Sequence, residues 1–450
     1  MATQPQPIDP SRLNYAHGRQ LATQLFREAM SHLDVGRAMR RKIHFEAGAL
    51  IAGPHAISVI RPPRVLAFGK AANAMARVMT EILGGMVEAG VCASPQEPTH
   101  PLEHFQHFTG GHPFPNHGSL AAAQAALRMV AGLTADDLVI FLVSGGGSAL
   151  FETPLDPAIT LADMVELNRL LVTSDLPIEQ INVLRKHVSA VKGGRLATRC
   201  FPARQLTLYI SDVPDDRPSM VASGPTMPDE STAEEAYRLA DQAGLTRKLP
   251  ARIRDYFERR TLPETPKPGD PQLSGSRYFC LLSNHDAVQA AEHSARALGF
   301  STVIDSGPWD ADFQEVADSN LAHLEECRKE NSGVPTCLIV GGEVTCPVTG
   351  HGIGGRNQAF ALYAATRIAG QPRVVLSAGT DGRDGNSPAC GAVADGHTVT
   401  RAQALGIDPS LYLVESDSYH FFRTLGDTLD TGYTGNNVRD LRLWLDFSQT

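Results

Sequence analysis

The feature that most constrains the fold is a fully apolar run, Leu138–Val143, that is followed by one serine and three consecutive glycines. A run of this length, bounded by turn residues, is typical of a buried strand. Other apolar runs also end in glycines or acidic residues, at 64–68, 206–210, 336–340 and 373–378. Amphipathic helical patterns separate these runs. The alternation predicts an α/β chain with largely parallel sheets.

A segment rich in proline, glycine and serine, residues 261–277, interrupts the alternation. Strand and helix patterns begin again after it, so we place a domain boundary near residue 260. This predicts one domain over residues 1–260 and a second over residues 261–450. The last strand pattern, "VRDLRLWLDF", is not assigned to a sheet, and packing of this C-terminal tail back on the first domain stays open.

Charge and composition exclude several classes of protein. The chain has 450 residues, a formal net charge of −9 and no block rich in lysine and arginine. This argues against a nucleic-acid surface and against a polybasic membrane patch. No segment reads as a signal peptide or a membrane span. The seven cysteines are scattered without a CxxC pair, so we expect a cytoplasmic protein with reduced thiols.

The glycine-rich turn after the first apolar run is a candidate binding site. Gly145, Gly146 and Gly147 lie between Ser144 and Ser148. Without Cβ atoms, the backbone N–H groups can face a ligand and hold an anion, most often phosphate. A tight strand-to-helix turn without a ligand explains this stretch equally well when it is taken alone.

Charged residues at other turns extend the candidate site. Lys70 follows an apolar strand and can meet an anion held at a helix N-terminus. Asp212 also follows a strand, where a carboxylate can bind Mg²⁺ or accept a proton from a hydroxyl. Lys186 and Lys192 belong to a basic segment that ends in two glycines. Each of these residues, taken singly, also fits a solvated surface or a turn-capping role.

The richest polar stretch is residues 341–362. Glu343 follows a strand and two glycines, and Arg356 comes directly after Gly354 and Gly355 at a predicted helix start. An arginine in this position fits a bidentate clamp on phosphate or carboxylate. The glycine spacing also matches GxGxxG formally, which by itself is a weak signal for a dinucleotide.

A second acidic loop follows the last of the apolar runs. Asp381 and Asp384 lie close together among glycines, and paired acids after a strand suggest Mg²⁺. A polar turn stabilised by aspartate side chains is the alternative. Glycine-rich turns, cations at turns and acids at strand ends together favour phosphoryl transfer, in which a protein positions and neutralises charge.

In combination, these motifs resemble the class II glycerate 2-kinases, the family whose C-terminal half is called the MOFRL domain. The resemblance extends from about residue 17 to 445 and rests on "GKAA" (69–72), "GGHPFPN" (110–116), "SGGGSAL" (144–150), "NVLRKHVSAVKGGRLA" (182–197), "SDVPDD…ASGPT" (211–226), "GGEVTCPVTGHGIGGRNQ" (341–358), "GTDGRDG" (379–385) and "TGYTGNNVRDL" (431–441). Many members of the family carry the name hydroxypyruvate reductase.

The resemblance implies two Rossmann-like α/β domains with mainly parallel sheets, facing across an active-site cleft. The first domain corresponds to the glycerate kinase domain and the second to the MOFRL domain. The resemblance also implies transfer of the γ-phosphate of ATP to the 2-hydroxyl of D-glycerate, with Mg²⁺. The alternative is an NAD(P)H-dependent hydroxypyruvate reductase. A homodimer is an oligomeric state that the sequence leaves open.

The resemblance assigns expected roles to the candidate residues. The catalytic group comprises Lys70, Arg356 and Asp212. Binding of substrate and nucleotide is expected from Ser144, Gly145, Gly146, Gly147, Ser148, Lys186, Lys192, Gly354 and Gly355. Mg²⁺ binding is expected from Asp381 with Asp384 or Glu343.

Overall fold

The computed structural model describes residues 14–174, 176–307, 309–330 and 333–448. The chain forms two compact units. The central unit comprises Val35–Leu281, and the terminal unit combines the residues up to Asp34 with those from Leu282 onward. The terminal unit begins with helix α1 (Tyr15–His32).

The central unit contains two sheets. Their strands are β1 (Ile43–Glu46), β2 (Ala49–Ala52), β3 (His55–Ser58), β4 (Arg64–Phe68), β5 (Ala89–Ser94), β6 (Phe105–Thr109), β7 (Leu138–Val143), β8 (Arg204–Ile210) and β9 (Ser276–Leu282). Strands β1 to β3 form an antiparallel meander. The larger sheet has the order β6-β5-β4-β7-β8-β9, and its pairs from β6 to β8 are parallel.

Helices cover the larger sheet of the central unit and form a satellite cluster. They are α2 (Val35–Lys42), α3 (Ala72–Ile82), α4 (His117–Met129), α5 (Gly147–Leu150), α6 (Leu161–Val172), α7 (Ile178–Val188), α8 (Arg195–Arg199), α9 (Ala233–Gln242) and α10 (Ala251–Arg259), with short 3-10 helices at Pro218–Ser223, Thr246–Lys248 and Pro271–Leu273. Alanines of α4 pack on Phe68 and Phe141 of the sheet. Helices α6, α7, α9 and α10 bury their apolar faces against one another.

The terminal unit has one six-stranded sheet with helices on both faces. Its remaining elements are α11 (Asn284–Ala297), β10 (Ser301–Asp305), α12 (Phe313–Glu330), β11 (Thr336–Gly342), α13 (Arg356–Arg367), β12 (Arg373–Gly379), β13 (Gly391–Asp395), α14 (Thr398–Ala404), α15 (Pro409–Val414), α16 (Ser418–Leu425), β14 (Thr428–Leu429) and β15 (Asp440–Asp446). Alternation along β15 sends Leu443 to the core with α1 and α11, and Trp444 to the core with α12, α13 and α16.

The α/β class and the two sheet-containing domains are confirmed, and the larger sheet of the central unit is parallel over its first five strands. The terminal sheet differs from the expected parallel arrangement. Strand β15 lies between β11 and β12 and runs antiparallel to both. Its first residue, Asp440, pairs with Gly342 and Gly379, the last residues of those strands. The chain enters the sheet at their carboxyl ends, so β15 has to run in the opposite direction.

The boundaries between the two units lie after Asp34 and after Leu281, and not near residue 260 as the sequence predicts. Strand β9 extends the central sheet after the proline-rich segment, so that segment belongs to the central unit. Leu25 and Phe26 of α1 are buried among side chains of the terminal sheet, which places this helix in the other unit. The C-terminal tail forms β15 of the terminal sheet.

The cysteines and the apolar character of the helices are two further features of the structure. All seven cysteines are free thiols. Among the helices of the described ranges, none combines the length and the apolar character that crossing a bilayer requires.

Candidate active site

The carboxyl ends of β4 and β7 build the glycine-rich site of the central unit. The two strands are parallel neighbours, so the loops that follow them lie side by side. The Lys70 N–H donates to the Gly145 carbonyl oxygen at 2.9 Å, and the Ala71 N–H donates to Ser144 Oγ at 3.0 Å. Gly69 has φ +124°, and a Cβ on it would collide with Ser144. Only glycine permits this close approach of the two loops.

Two amides of the glycine-rich loop are available to a ligand. Within the part of the chain that the structure describes, the N–H groups of Gly145 and Gly146 make no hydrogen bond. Gly146 has φ +80° and precedes the short helix α5. A Cβ on Gly145 would collide with the carboxylate of Asp212. The loop therefore has two backbone N–H groups that can bind an anion. The carboxylate of Asp212, predicted at a strand end, lies next to them.

The side chains of Lys70 and His112 lie beside the same loop. A Cβ on Gly146 would be 3.3 Å from Cγ of Lys70 and 3.0 Å from Cδ2 of His112. Desolvation and the positive charge of Lys70 both lower the pKa of His112. The structure thus brings together Lys70, the glycine-rich loop and Asp212, as the sequence predicts, and adds His112.

The two other lysines predicted for this site are held in internal ion pairs. Lys186 Nζ donates to Asp229 Oδ1 at 3.0 Å, and both side chains are buried. Lys192 donates to Glu152, also in a buried pair. Burial lowers the pKa of Lys192, and the charge of Glu152 opposes that effect. These pairs compensate the charge of both lysines within the protein.

In the terminal unit, acidic residues position Arg356 at the first residue of α13. Its Nε donates to Asp440 Oδ2 at 2.5 Å and its Nη2 to Asp440 Oδ1 at 3.0 Å. The same Nη2 lies 3.0 Å from Glu343 Oε1. Burial lowers the pKa of Arg356, but the charges of Asp440, Glu343 and Asp384 outweigh it and the net pKa is raised. Nη1 makes no hydrogen bond to a described residue, so it can meet an anion.

Asp384 is bound to the helix that Arg356 begins. Its carboxylate accepts hydrogen bonds from the N–H groups of Asn357 and Gln358, at 3.1 and 2.8 Å. Burial raises the pKa of Asp384 to about 7, although these amide bonds and the charge of Arg356 act in the other direction. The N-terminal amides of α13 are therefore occupied by a side chain of the same unit.

Asp381 lies at the same edge of the sheet as Asp440. An added Cβ on Gly379 would be 3.5 Å from Asp381 Oδ1 and 3.4 Å from Asp440 Oδ1. The described residues contain no cluster of three or more metal-binding side chains. An Mg²⁺ ion that also binds substrate phosphates needs only one or two protein carboxylates. Asp381 follows β12 and Glu343 follows β11, and the amide bonds of Asp384 make it the less available ligand.

The glycines that match GxGxxG have a packing role. A Cβ on Gly350 or Gly352 would collide with the backbone at Glu415 or with Asp417. A Cβ on Gly355 would collide with Asp384. These glycines therefore permit close packing of the 349–355 segment. The N–H of Gly354 also has a partner within the protein, because it donates to Asn386 Oδ1 at 2.8 Å.

A cavity of about 680 Å³ opens beside Arg356 within the terminal unit. Its walls include Val344, Val348 and Tyr412, and its polar residues include Asn386. Val348 is 84% exposed, so much apolar surface here is not covered by described residues. The cavity has the size of a small-molecule site with apolar walls and a charged end.

Comparisons with known proteins assign this fold to a family. Residues 21–258 match the model described as "Domain of unknown function (DUF4147)", and residues 336–440 match the MOFRL family. A D-glycerate 2-kinase of Thermotoga maritima is 38% identical over 385 residues, which cover 85% of this chain and 90% of the relative. The chain belongs to the glycerate 2-kinase family.

Two further relatives carry the two names that occur in this family, glycerate kinase and hydroxypyruvate reductase. The crystal structure of a glycerate kinase from Thermotoga maritima superimposes with a TM-score of 0.82 at 33% identity, covering 95% of this chain and 99% of that one. A putative hydroxypyruvate reductase of Agrobacterium vitis is 33% identical and covers 90% of this chain and 93% of the relative. The predicted membership of the glycerate 2-kinase family is confirmed.

Sequence reasoning missed two residues of this family member's candidate site. Asp440 is the first residue of a strand, whereas the acids predicted for the site follow strands. The antiparallel direction of β15 brings this strand start to the same edge. His112 lies in the "GGHPFPN" motif, but the sequence analysis predicts no strand directly before this motif. The motif itself was the available signal for His112.

Proposed function

We propose that this protein is a glycerate 2-kinase that transfers the γ-phosphoryl group of ATP to the 2-hydroxyl of D-glycerate and forms 2-phosphoglycerate and ADP. The observation that carries the proposal is the open pair of amides at Gly145 and Gly146 beside Lys70 and Asp212. This arrangement suits a phosphoryl or carboxylate oxygen, with a base beside it. The family relationship supports the same activity.

The reaction needs charge neutralisation and one proton acceptor. The 2-hydroxyl oxygen of glycerate forms a bond to the γ-phosphorus, and the bond from phosphorus to the bridging oxygen of ADP breaks. Asp212 accepts the hydroxyl proton or orients the hydroxyl. Lys70 and the loop amides stabilise negative charge on the transferring group. Arg356, through its Nη1, binds an oxyanion of the substrates.

Asp381 and Glu343 would hold Mg²⁺, with Asp384 as the third residue predicted from sequence. When bound, Mg²⁺ neutralises charge on the nucleotide phosphates. In this assignment Glu343 also fixes Arg356, because its carboxylate lies 3.0 Å from Nη2. Cytoplasmic location and a homodimer remain predictions of the sequence.

We expect Asp381→Asn to raise the Mg²⁺ concentration for half-maximal activity about tenfold or more and to leave the KM for D-glycerate within about threefold. The amide keeps the size of the side chain but loses the charge that a hard cation prefers. The measurement is a Mg²⁺ titration of initial rate. Asp408→Asn is the matched control, since Asp408 also accepts the N–H two residues ahead. An unchanged Mg²⁺ curve for Asp381→Asn would assign Asp381 to a turn role alone.

The second candidate, a hydroxypyruvate reductase, has support from the name of the Agrobacterium vitis relative. Its sequence support was the GxGxxG match, and those glycines pack against neighbouring backbone. A dinucleotide pyrophosphate at that helix start would have to replace Asp384 on the amides of α13. A paired assay tests the choice: ADP formation with D-glycerate and ATP, against NADH and NADPH oxidation with hydroxypyruvate. Oxidation without ADP formation would reject the kinase.

A further inference from the structure

Arg185 is an arginine whose charge the described residues compensate only in part. Nε of Arg185, on α7, is buried and makes no hydrogen bond. Across the described residues, its guanidinium group forms neither a hydrogen bond nor an ion pair. Its neighbours along the chain differ, because Lys186 and Lys192 are paired with carboxylates and Arg195 donates to three carbonyl oxygens.

The surroundings make this arginine costly for the folded protein. Desolvation lowers the pKa of Arg185, and the charge of Glu152 opposes the effect only in part. Glu152 is already committed, because it accepts hydrogen bonds from Ser189 and Lys192. A partly buried cation whose charge is compensated only in part destabilises a fold, and an anionic ligand in contact with it supplies the missing charge.

The position of Arg185 connects it to the glycine-rich loop. Asn182 lies three residues earlier on α7, which places it on the same face of the helix. Asn182 Oδ1 accepts a hydrogen bond from Ser223 Oγ at 3.1 Å, and Ser223 Oγ shares one with Ser148 Oγ at 2.7 Å. Ser148 ends the glycine-rich loop. This chain of hydrogen bonds places the Arg185 face of α7 beside the loop that carries the open amides.

We propose that Arg185 binds an oxyanion of a substrate together with the glycine-rich loop, in the role that the sequence predicts for Lys186 and Lys192. The ligand chemistry is a carboxylate or a phosphate, and the planar guanidinium can donate two parallel hydrogen bonds to either. In the setting of the proposed kinase, the two sources are the carboxylate of D-glycerate and the phosphates of ATP.

The test compares Arg185→Gln and Arg185→Lys with wild type, and Arg238→Gln is the control because Arg238 is an exposed arginine of the same unit. Thermal unfolding is measured without ligand and with D-glycerate, ATP or inorganic phosphate. We expect Arg185→Gln to raise the ligand-free melting temperature by about 1–3 °C, since an uncompensated charge is removed. The same variant should lose most of the stabilisation by the ligand that Arg185 binds, and Arg238→Gln should keep it.

The pattern of loss identifies the source of the anion. Loss with D-glycerate alone assigns Arg185 to the carboxylate, and loss with ATP and phosphate assigns it to phosphate. A lower melting temperature with all ligand shifts retained, in both Arg185 variants, would overturn the proposal and leave a structural role. Ligand shifts of wild-type size in Arg185→Gln, or a wild-type protein that none of the three ligands stabilises, would also overturn it. These are binding measurements, so they stand apart from whether the protein phosphorylates glycerate.

Discussion

Arg356→Lys should lower kcat by about 30- to 1,000-fold while the protein stays folded, which corresponds to about 2–4 kcal/mol of transition-state stabilisation. Arg356 uses Nε and Nη2 to bind Asp440 and Glu343, and this leaves Nη1 for the substrate. A lysine has one nitrogen and cannot satisfy the two acids and an anion in the same geometry. The measurement is kcat and KM for both substrates, with circular dichroism to verify folding.

Arg367→Lys is the matched control for this prediction. Arg367 lies on the same helix, is exposed and pairs with Asp318 at 2.8 Å. Its replacement should leave kcat within about twofold, as is usual for an exposed ion pair. If Arg356→Lys also kept kcat within about threefold, Arg356 would be a structural residue that only holds the start of β15.

Gly146→Val should lower kcat/KM by about 100-fold or more. Two effects combine, because Gly146 has φ +80° and its new Cβ would lie 3.0 Å from His112 and 3.3 Å from Lys70. The backbone conformation costs a non-glycine residue about 1–2 kcal/mol, and the branched side chain displaces Lys70 from the open amides. The measurement is steady-state kinetics. The melting temperature is measured as well, because it reports the destabilisation caused by the left-handed backbone conformation.

Gly132→Val separates the two effects. Gly132 has φ +75° in the same unit, but no atom lies within 4 Å of a Cβ placed on it. This control has a comparable backbone cost away from the site, so its melting temperature should fall while kcat/KM stays near wild type. Equal loss of activity in both variants would mean that Gly146 acts through stability alone.

Local patterns were sufficient to predict strands such as β4, β7, β8, β11 and β12, together with the residues that follow them. The apolar run that forms β7 is fully buried, and burial of a parallel strand on both faces requires such a run. Its carboxyl end brings the glycine-rich loop next to the loop of Lys70, since the two strands are parallel neighbours. The rule that ligands bind at the carboxyl ends of strands therefore predicts one candidate site from Lys70, the glycines and Asp212.

The features that sequence reasoning missed depend on partners far apart in the chain. Asp440 and Arg356 are 84 residues apart, and they meet only because β15 inserts antiparallel between two earlier strands. The ion pair of Lys192 with Glu152 spans 40 residues. Charge alone does not reveal that Lys192 is paired with Glu152, or that Arg185 forms no ion pair with a described residue. The division of the chain was missed for the same reason, because the apolar face of α1 does not specify the distant sheet that it covers.

The central claim is that this chain phosphorylates the 2-hydroxyl of D-glycerate, and product identification by phosphorus NMR tests it most directly. The protein is incubated with D-glycerate, ATP and Mg²⁺, and the proton-coupled spectrum is compared with authentic 2- and 3-phosphoglycerate. A phosphate ester on carbon 2 couples to one proton and gives a doublet, whereas an ester on carbon 3 couples to two and gives a triplet. The account predicts an ATP-dependent doublet that coincides with 2-phosphoglycerate and is absent without the protein. A triplet, or no new ester while NADH is oxidised with hydroxypyruvate, would contradict it.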